Sequence, residues 1–464
     1  MLSDTLVKNK RTLTATDDGG AEIDADVAFK QVVKAIDDVL ENAIDGEITH
    51  VASCAFWHSL VGIDGDGKPT TKVFGWADTR SRSYVDDLRR KFDEGATHNR
   101  TGARFHSSFW PAKLRWLSKE SPDVFVATKH WLSFSDFVTE KLSGSMTTSV
   151  SMSSGTGILD IRTCNWDTEI IRFLKTKGSS LPRIAGPGET FRLSQEYSKR
   201  WPRLRETEWF PSIADGAANN IGASCVKKSK AAVMIGTSGA MRVAYRGEPP
   251  ARIPPGLWCY RIDHNRVIIG GALSDGGGLY QWLKENLKLE DDDAVEDEIA
   301  KREPAGHGLT VMPFFAGERS TGYNEAANGA ILGLRASTDR IDIVQAALES
   351  VAYRFAEIFE QLNSVCPIRE IVASGGALRA SPVWTQMIAD VLGRDLTLPN
   401  AREASMRGAV LLALETAGRI KKIEDAPQSS GKKFLADKSR KTVYAKARKA
   451  HQQVYRTLID RENP

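Results

Sequence analysis

The chain has 464 residues, of which 41% are hydrophobic and 26% are charged. This length and balance exclude a disordered or fibrous protein and predict two or more globular domains with room for a cleft between them. The net charge of +4, from 63 basic and 59 acidic residues, is too small to indicate nucleic-acid binding, so small molecules are the expected partners.

The cysteines and the hydropathy pattern favour a cytoplasmic protein. Five cysteines are scattered through the chain and never form a CxxC pair, so neither a disulfide framework nor a zinc site is indicated. The start of the chain lacks the apolar core of a signal peptide, and no stretch approaches the roughly 18 uninterrupted apolar residues of a membrane span. We expect no membrane partner. The oligomeric state stays open, with a homodimer among the alternatives.

Helices and strands alternate through the first half of the chain. Residues 26–43 carry apolar side chains at three- and four-residue spacing, which predicts an amphipathic helix. The run ITHVASCAF then predicts a buried strand, GIDGDGKPT a turn, and TKVFGWADTRS a second strand that ends in a polar loop. The helical pattern resumes from Trp110 to about Gly144, whereas TTSVSMSSGTGILDIRT predicts strands and turns with no helix.

A predicted hairpin opens the second half near residue 228. In KAAVMIGTSGAMRVAY a strand pattern reaches Thr237, Ser238 and Gly239 and continues as a second strand. Further on, RIDIVQAALESVAYRFAEIFEQLN predicts a long helix, and EIVASGGALRASPVWTQMIADVLG predicts a strand, a glycine turn and a helix. The ending KTVYAKARKAHQQVYRTLID predicts a surface helix. We therefore divide the chain into two α/β domains, residues 1–228 and 229–464.

Three glycine turns follow predicted strands in the second half: IGTSGA at 235–240, GGALSDGGG at 270–278 and ASGGAL at 373–378. Glycine lets a backbone approach a phosphate closely, and the amides of such turns can bind anions. One glycine pair more often marks a simple turn, but three in one half of a chain indicate a nucleotide site. None is a P-loop or a dinucleotide fingerprint; the nearest approach, GIDGDGKP, has Pro69 where the P-loop needs Ser or Thr.

These stretches resemble the FGGY carbohydrate kinases, in the same order and over nearly the whole chain. The matching stretches are HSLVGIDGDGKP, GWADTRS, SSGTGILDIRTCNWD, ADGAANNIGA, IGTSGAMR, GGALSDGGG, FFAGERSTGY, ASGGALRASPVWTQMIADVLG and ASMRGAVLLAL. The resemblance implies an α/β fold of two actin/hexokinase-like (ribonuclease H-like) domains around a central cleft. It also implies ATP-dependent phosphorylation of a hydroxyl on a sugar, polyol or aldonate, with ATP and Mg²⁺ as cofactors. HSLVGID with GWADTRS favours gluconate, and D-xylulose is the next candidate.

The resemblance assigns the catalytic base to Asp215, in the stretch ADGAANN. In the family, the acid of that stretch lies in the cleft and takes the proton of the attacking sugar hydroxyl. This role suits phosphoryl transfer, which mostly needs a positioned hydroxyl, a carboxylate for its proton and cations on the phosphates. Without that context, an aspartate before glycine is more often a turn or cap residue.

The resemblance also predicts sugar contacts from the first half and nucleotide contacts from the second. The sugar-binding residues are His58, Trp76, Asp78 and Arg80. Simpler alternatives stay open, with His58 and Trp76 as core residues and Asp78 and Arg80 as an ion pair across a surface loop. The nucleotide-binding residues are Gly236, Thr237 and Ser238 at the phosphates, and Gly276, Gly375, Gly376 and Ala377 near the nucleoside. Glu318 and Arg319, in FFAGERSTGY, receive no role because a salt bridge between them would explain both.

The chain departs from the family at its start. The family opens with a strand and a turn of the type D-x-G-[TS], which binds phosphate and helps to place magnesium; TLTATDDGGAEIDADVAF matches the family after that opening. We expect a missing strand to leave a sheet neighbour unpaired, and we assign no metal ligand. A start at an internal methionine would explain the departure. So would a catalytically weak or inactive sugar- and nucleotide-binding protein on the same fold, which is the alternative function. A chaperone-type ATPase of the same superfold is a third reading.

Overall fold

The computed structural model describes residues 5–10, 13–42, 46–289, 291–400 and 403–460. The last residue of the predicted helix 26–43 lies outside these ranges. Within them, no helix is both long enough and apolar enough to cross a membrane.

The first half is built from short elements. Its helices are α1 (Ala25–Glu41), α2 (Val85–Lys91), α3 (Glu94–Thr101), α4 (Trp110–Glu120), α5 (Pro122–Ala127), α6 (Phe134–Ser143), α7 (Val150–Ser154), α8 (Thr168–Leu174), α9 (Gln195–Arg200) and α10 (Asp215–Gly222). Its strands are β1 (Thr14–Ala15), β2 (Ala21–Ile23), β3 (His50–Val51), β4 (Cys54–Ala55), β5 (Val61–Ile63), β6 (Val73–Phe74), β7 (His130–Leu132), β8 (Thr147–Thr148), β9 (Leu159–Asp160), β10 (Asn165–Trp166), β11 (Arg183–Ile184), β12 (Glu208–Trp209) and β13 (Ile213–Ala214). In the described residues these strands pair as one three-stranded and five two-stranded sheets. The unpaired neighbour expected at the chain start stays a prediction.

The second half is organised around one large sheet. Its strands are β14 (Lys230–Ile235), β15 (Gly239–Arg246), β16 (Trp258–Asp263), β17 (Arg266–Leu273), β18 (Thr310–Met312), β19 (Ala330–Leu332), β20 (Glu370–Ser374), β21 (Leu396–Pro399) and β22 (Gly431–Phe434). Its helices are α11 (Gly277–Asn286), α12 (Asp292–Ala300), α13 (Arg340–Val365), α14 (Gly376–Ala380), α15 (Pro382–Leu392), α16 (Ala404–Thr416) and α17 (Lys441–Leu458). In the described residues the sheet has the order β16-β17-β15-β14-β20-β21-β22, with β14, β20 and β21 parallel to one another. The largest apolar core lies between this sheet and helices α13 and α15.

The structure confirms the predicted elements of the second half. β14 and β15 form the hairpin around Thr237, and α13 is the long helix. β20, the turn at Gly375 and helices α14 and α15 reproduce the predicted strand, turn and helix. The final helix, α17, is exposed on one face and buries Tyr444 and His451 on the other. These elements are confirmed because each carries an unbroken apolar periodicity or a glycine turn.

Three predictions for the first half are wrong in detail. The serine-rich stretch contains a helix, α7, because Ser149 caps it through the amide of Met152 and the hydroxyls of Ser153 and Ser154 donate to backbone carbonyls one turn earlier. The run ITHVASCAF forms two half-buried two-residue strands, β3 and β4, rather than one buried strand. The helical region after Trp110 is broken by strand β7.

Helices α10 and α16 cross with their backbones in contact. A Cβ atom at Gly222 would lie 1.8 Å from the carbonyl oxygen of Ala404, and one at Gly408 would lie 1.8 Å from that of Ala218. Only glycine fits at both positions, because no side-chain movement relieves a clash with backbone. Since Asp215 is the first residue of α10, this crossing fixes where its carboxyl lies.

We predict that Gly408→Ala lowers the free energy of unfolding by about 1–3 kcal/mol, because the added methyl group overpacks the crossing. This loss should exceed the gain of up to about 1 kcal/mol that alanine gives in a helix. Urea denaturation measures it. Gly65→Ala is the control, since a Cβ there meets no atom within 4 Å. Stability equal to that of the wild type would show that the helices can move apart at no cost.

Candidate active site

Asp215 presents an exposed carboxyl at the start of α10, directly after β13. Protein crowds this carboxyl, and the resulting desolvation raises its pKa above the usual 3.8. The guanidinium of Arg242 and the amide of Gly216, which donates to Oδ1 at 2.6 Å, oppose that rise. A carboxylate that is reachable yet partly desolvated is a suitable proton acceptor.

His58 is a buried, neutral histidine beside this position. Its Nδ1 lies 2.5 Å from the carbonyl oxygen of Gly155, and its ring packs edge-on against Phe109. Burial and the nearby charge of Arg319 hold the pKa of His58 well below 6.5. Nδ1 therefore carries the proton, and Nε2 can accept a hydrogen bond. Core packing and a sugar contact are both compatible with this arrangement, and the sugar contact stays a prediction.

Trp76 is half-buried, and Arg319 covers it. The Arg319 guanidinium lies 5.3 Å from the centre of the Trp76 ring. The described residues provide Arg319 with no hydrogen bond or ion pair through its side chain, and burial lowers its pKa. The salt bridge between Glu318 and Arg319 that the sequence analysis weighed as an alternative does not form, because Glu318 pairs with Arg354 instead. Arg319 is thus a site residue that the sequence analysis left without a role.

Asp78 and Arg80 form an ion pair, as the simpler alternative predicts, but the pair is buried. The Asp78 carboxylate accepts from Arg80 Nη2 at 2.6 Å and from the amide of Ala21 at 3.1 Å. Arg80 also binds Glu22 at 2.7 Å and stacks on Trp116. Both charged groups are therefore satisfied within the protein. A direct sugar contact by either one stays a prediction.

Sequence reasoning missed two buried polar side chains of the large sheet, and one of them faces the start of α10. Arg242, on β15, is 8% exposed, and its Nε and Nη1 have no hydrogen-bond partner among the described residues. A Cβ on Gly216 would lie 3.3 Å from its guanidinium carbon. The hydroxyl of Tyr260, on β16, also lacks a hydrogen-bond partner in the part of the chain that the structure describes. A charged residue in the apolar strand GAMRVAY was the available signal for Arg242.

The segment 317–325 connects the second half to the first beside this site. Glu325 accepts hydrogen bonds from the amide of Ser107, at 3.1 Å, and from its hydroxyl. The Nε2 atom of His106 lies 3.6 Å from the same carboxylate. Arg319, in the middle of the segment, is therefore held close to the sugar-side residues of the first half.

The structure brings the three predicted glycine turns together. The amides of Gly276 and Gly278 donate to the carbonyl oxygen of Thr237, at 3.1 and 2.9 Å, and Gly277 donates to Gly236 at 2.8 Å. Gly375 has a φ of +100°, and a Cβ there would lie 2.1 Å from the carbonyl oxygen of Ile235. The second-half glycines thus meet at one end of β14 and β20.

The sequence analysis assumed that the amides of these turns can bind an anion, but not all of them are available to a phosphate. Gly276, Gly277 and Gly278 donate to protein carbonyls. In the described chain no hydrogen bond uses the amides of Thr237 and Ser238. Gly376 borders open space, because a Cβ there meets no atom within 4 Å. The amides that stay free to bind an anion are therefore those of the 237–238 turn and of the first residues of α14, including Ala377. The nucleotide contacts themselves stay predictions.

The acidic groups of the cleft fit a magnesium ion only in company with phosphates. The described residues contain no cluster of three or more His, Cys, Asp or Glu that could hold a metal ion. Asp215 is exposed, and Asp275, whose pKa burial raises to about 6, accepts from the amide of Ala316 at 3.0 Å. Mg²⁺ is usually held by one or two carboxylates together with phosphates and water, so a single carboxylate from this chain suffices.

The chain is similar to sugar kinases along most of its length. The gluconokinase of Bacillus licheniformis is 27% identical over 414 residues, which are 86% of this chain and 80% of that protein. The gluconate kinase from Lactobacillus acidophilus, a solved structure, superimposes with a TM-score of 0.89 at 25% identity, covering 97% of this chain and 92% of that one. The ligand-bound xylulose kinase from Lactobacillus acidophilus has a TM-score of 0.90 at 25% identity with the same coverage.

These likenesses define the class, a sugar kinase with two actin/hexokinase-like domains around a cleft, and confirm the predicted fold. The N-terminal domain of the FGGY family of carbohydrate kinases matches residues 6–201, and the C-terminal domain of that family matches residues 231–417. The chain therefore belongs to the FGGY family of carbohydrate kinases. It is an enzyme whose substrates are ATP and a sugar.

We predict that Asp215→Asn lowers kcat about 10²- to 10⁴-fold, because the amide cannot accept the hydroxyl proton. Binding should persist, so a sugar that raises the melting temperature of the wild type should also raise that of the variant. Since burial raises the pKa of Asp215, the wild-type rate should fall on the acid side at a higher pH than an ordinary aspartate gives. A wild-type rate in the variant would remove Asp215 from the role.

Proposed function

We propose that the protein transfers the γ-phosphoryl group of MgATP to a hydroxyl of an aldonate, with gluconate as the first candidate and Asp215 as general base. The observation that carries the choice of substrate is a pair of guanidinium groups, the buried Arg242 and the half-buried Arg319, without ion-pair partners in the described cleft. A buried cation is costly unless an anion neutralises it. We assign the role of that anion to the carboxylate of the bound sugar.

The charges around the site support this choice. Asp78 is neutralised by Arg80, and Glu325 is held by Ser107. Once Asp78 and Glu325 are accounted for, Asp215 is the acid that faces Arg242 and Arg319. One carboxylate and two guanidinium groups leave the site with a surplus of positive charge. A sugar carboxylate restores the balance, whereas an uncharged ketose or polyol leaves one guanidinium without a partner.

The proposed transfer needs three actions from this chain. Trp76 offers an apolar face and His58 Nε2 an acceptor, which together orient the sugar. Asp215 takes the proton of the attacking sugar hydroxyl. The oxygen of that hydroxyl bonds to the γ-phosphorus, and the bond between this phosphorus and the β–γ bridging oxygen breaks, which releases ADP. Arg242, beside Asp215, favours the ionised form of that carboxylate.

The nucleotide side uses the amides of Thr237 and Ser238 for the phosphates and the open space at Gly376 for the rest of the nucleotide. Mg²⁺ would be held by Asp215 and phosphate oxygens, and when bound it neutralises phosphate charge.

The two domains are proposed as residues 1–228 and 229–464. The unmatched interval between the family domains, residues 202–230, includes that boundary.

The relatives support gluconate and keep D-xylulose as the comparison substrate. A gluconokinase and a gluconate kinase are similar to this chain, and so is a xylulose kinase. Release of ADP with gluconate, D-xylulose or glycerol tests turnover. If no sugar releases ADP but one still raises the melting temperature, the alternative of a catalytically weak binding protein is correct.

We predict that Arg319→Gln lowers kcat/KM for gluconate about 10- to 100-fold, because a charge-assisted hydrogen bond to the carboxylate is lost. The value for D-xylulose, which has no carboxylate, should change less than about threefold. Arg242→Gln should lower the value for both sugars, because Arg242 also favours the ionised form of Asp215, with the larger loss for gluconate. Arg335→Gln, at an exposed position, is the control. Steady-state kinetics with both sugars at saturating ATP measure the difference.

An equal loss for both sugars would contradict the aldonate proposal, since the guanidinium groups would then act on the phosphate that both reactions share. A raised KM for ATP in the same variants would point to that phosphate directly.

A further inference from the structure

The C-terminal helix α17 is tied to the loop that carries Arg319. Its buried face contains Tyr444, His451 and Tyr455, which lie seven and four residues apart and therefore on one side of the helix. The hydroxyl of Tyr455 donates to Glu318 Oε2 at 2.8 Å. Glu318 is the residue directly before Arg319. The last turns of α17 thus reach the sugar side of the cleft through one side chain.

Glu318 is the centre of a buried network. Its side chain is 1% exposed, and its carboxylate accepts from the Arg354 guanidinium, from the amides of Gly322 and Asn324 at 3.0 and 3.4 Å, and from Tyr455. Removal of one partner of a buried carboxylate is costly, because it leaves part of the charge without compensation. The shape of the loop therefore depends on every member of the network.

Helix α17 contacts the loop at further points. The Arg354 guanidinium lies 4.8 Å from the centre of the Tyr455 ring. The side-chain amide of Asn324 donates to the carbonyl oxygen of Ile459 at 2.9 Å. A Cβ on Gly322 would lie 2.1 Å from the Tyr455 hydroxyl, so the helix and the loop are in direct contact. Movement of the helix end cannot occur without movement of the loop.

Arg319 itself lies between two buried anchors. Glu318 precedes it and Ser320 follows it. The Ser320 amide donates to the carbonyl oxygen of Ala272 at 2.9 Å, and the Ser320 hydroxyl accepts from the amide of Ala272 at 3.0 Å. The Arg319 guanidinium stacks on the Trp76 ring and makes no hydrogen bond or ion pair with the described residues. Its direction is therefore set by the backbone on either side, and Tyr455 is one of the groups that fix that backbone.

We propose that Tyr455 is a positioning residue, which holds Arg319 over Trp76 through Glu318 and thereby sets the affinity for the sugar carboxylate. This inference rests on the proposed aldonate substrate. Loss of the Tyr455 hydroxyl leaves the buried Glu318 carboxylate one donor short, so the loop gains freedom and Arg319 loses its fixed direction. Binding of an anionic sugar suffers, while the phosphoryl-transfer groups at Asp215 keep their places.

The test is Tyr455→Phe, which removes one hydroxyl and keeps the ring. KM for gluconate should rise about three- to tenfold, a fraction of a full charge-assisted hydrogen bond, while kcat and the KM values for ATP and D-xylulose stay within about twofold. Tyr444→Phe makes the same chemical change on the same helix, away from the loop, and should leave every constant unchanged. In an Arg319→Gln background, Tyr455→Phe should produce no further rise, since residues that act in series are not additive.

Every result that differs from these expectations contradicts either the role of Tyr455 or the aldonate proposal. An additive effect in the double variant, or an equal rise in KM for both sugars when Arg319→Gln affects only gluconate, shows that Tyr455 has a general structural role and overturns the inference. If Arg319→Gln affects both sugars alike, the aldonate proposal fails, and the coupling between the two substitutions still decides whether Tyr455 acts through Arg319. If Arg319→Gln has no effect on either sugar, both proposals fail.

Discussion

The site depends on one constraint, the contact of helices α10 and α16 at Gly222 and Gly408. Backbone rests on backbone there, and neither helix can shift outward without losing that packing. The contact fixes the first residue of α10, which is Asp215, against the guanidinium of Arg242 on the large sheet. The proposed base, at the first residue of α10, is thus located by Gly222 at the other end of the same helix and by Gly408 on α16.

Buried polar groups without partners explain why the cleft needs a ligand. Arg242 and Tyr260 are almost fully enclosed, and both have side-chain atoms that the described residues leave unsatisfied. A protein that folded for stability alone would pair or remove these groups, since each costs free energy when it is buried alone. Polar groups kept in this condition indicate a function, and the positive charge of Arg242 supports the anionic substrate proposed above.

Glycine turns and periodic helices could be predicted from the sequence, whereas the partners of charged residues could not. The hairpin at Thr237 and helix α13 are confirmed because local chemistry decides them. Helix α7 was missed because burial and serine caps outweigh its poor intrinsic propensity. Glu318 was paired with its sequence neighbour, yet its partner Arg354 comes from another element of the fold. Such pairs depend on tertiary distance, which no local pattern encodes.

The segment 317–325 joins these features, because both of its buried carboxylates are held by other parts of the chain. Glu325 is bound to Ser107 of the first half, and Glu318 to Arg354 and Tyr455 of the second. Arg319 lies between them, so its position depends on both halves at once. A relative movement of the halves would strain one anchor or the other and would move Arg319 away from Trp76. If Arg319 binds the sugar as proposed, sugar affinity and the arrangement of the two halves are coupled through this segment, and the C-terminal helix is part of that coupling.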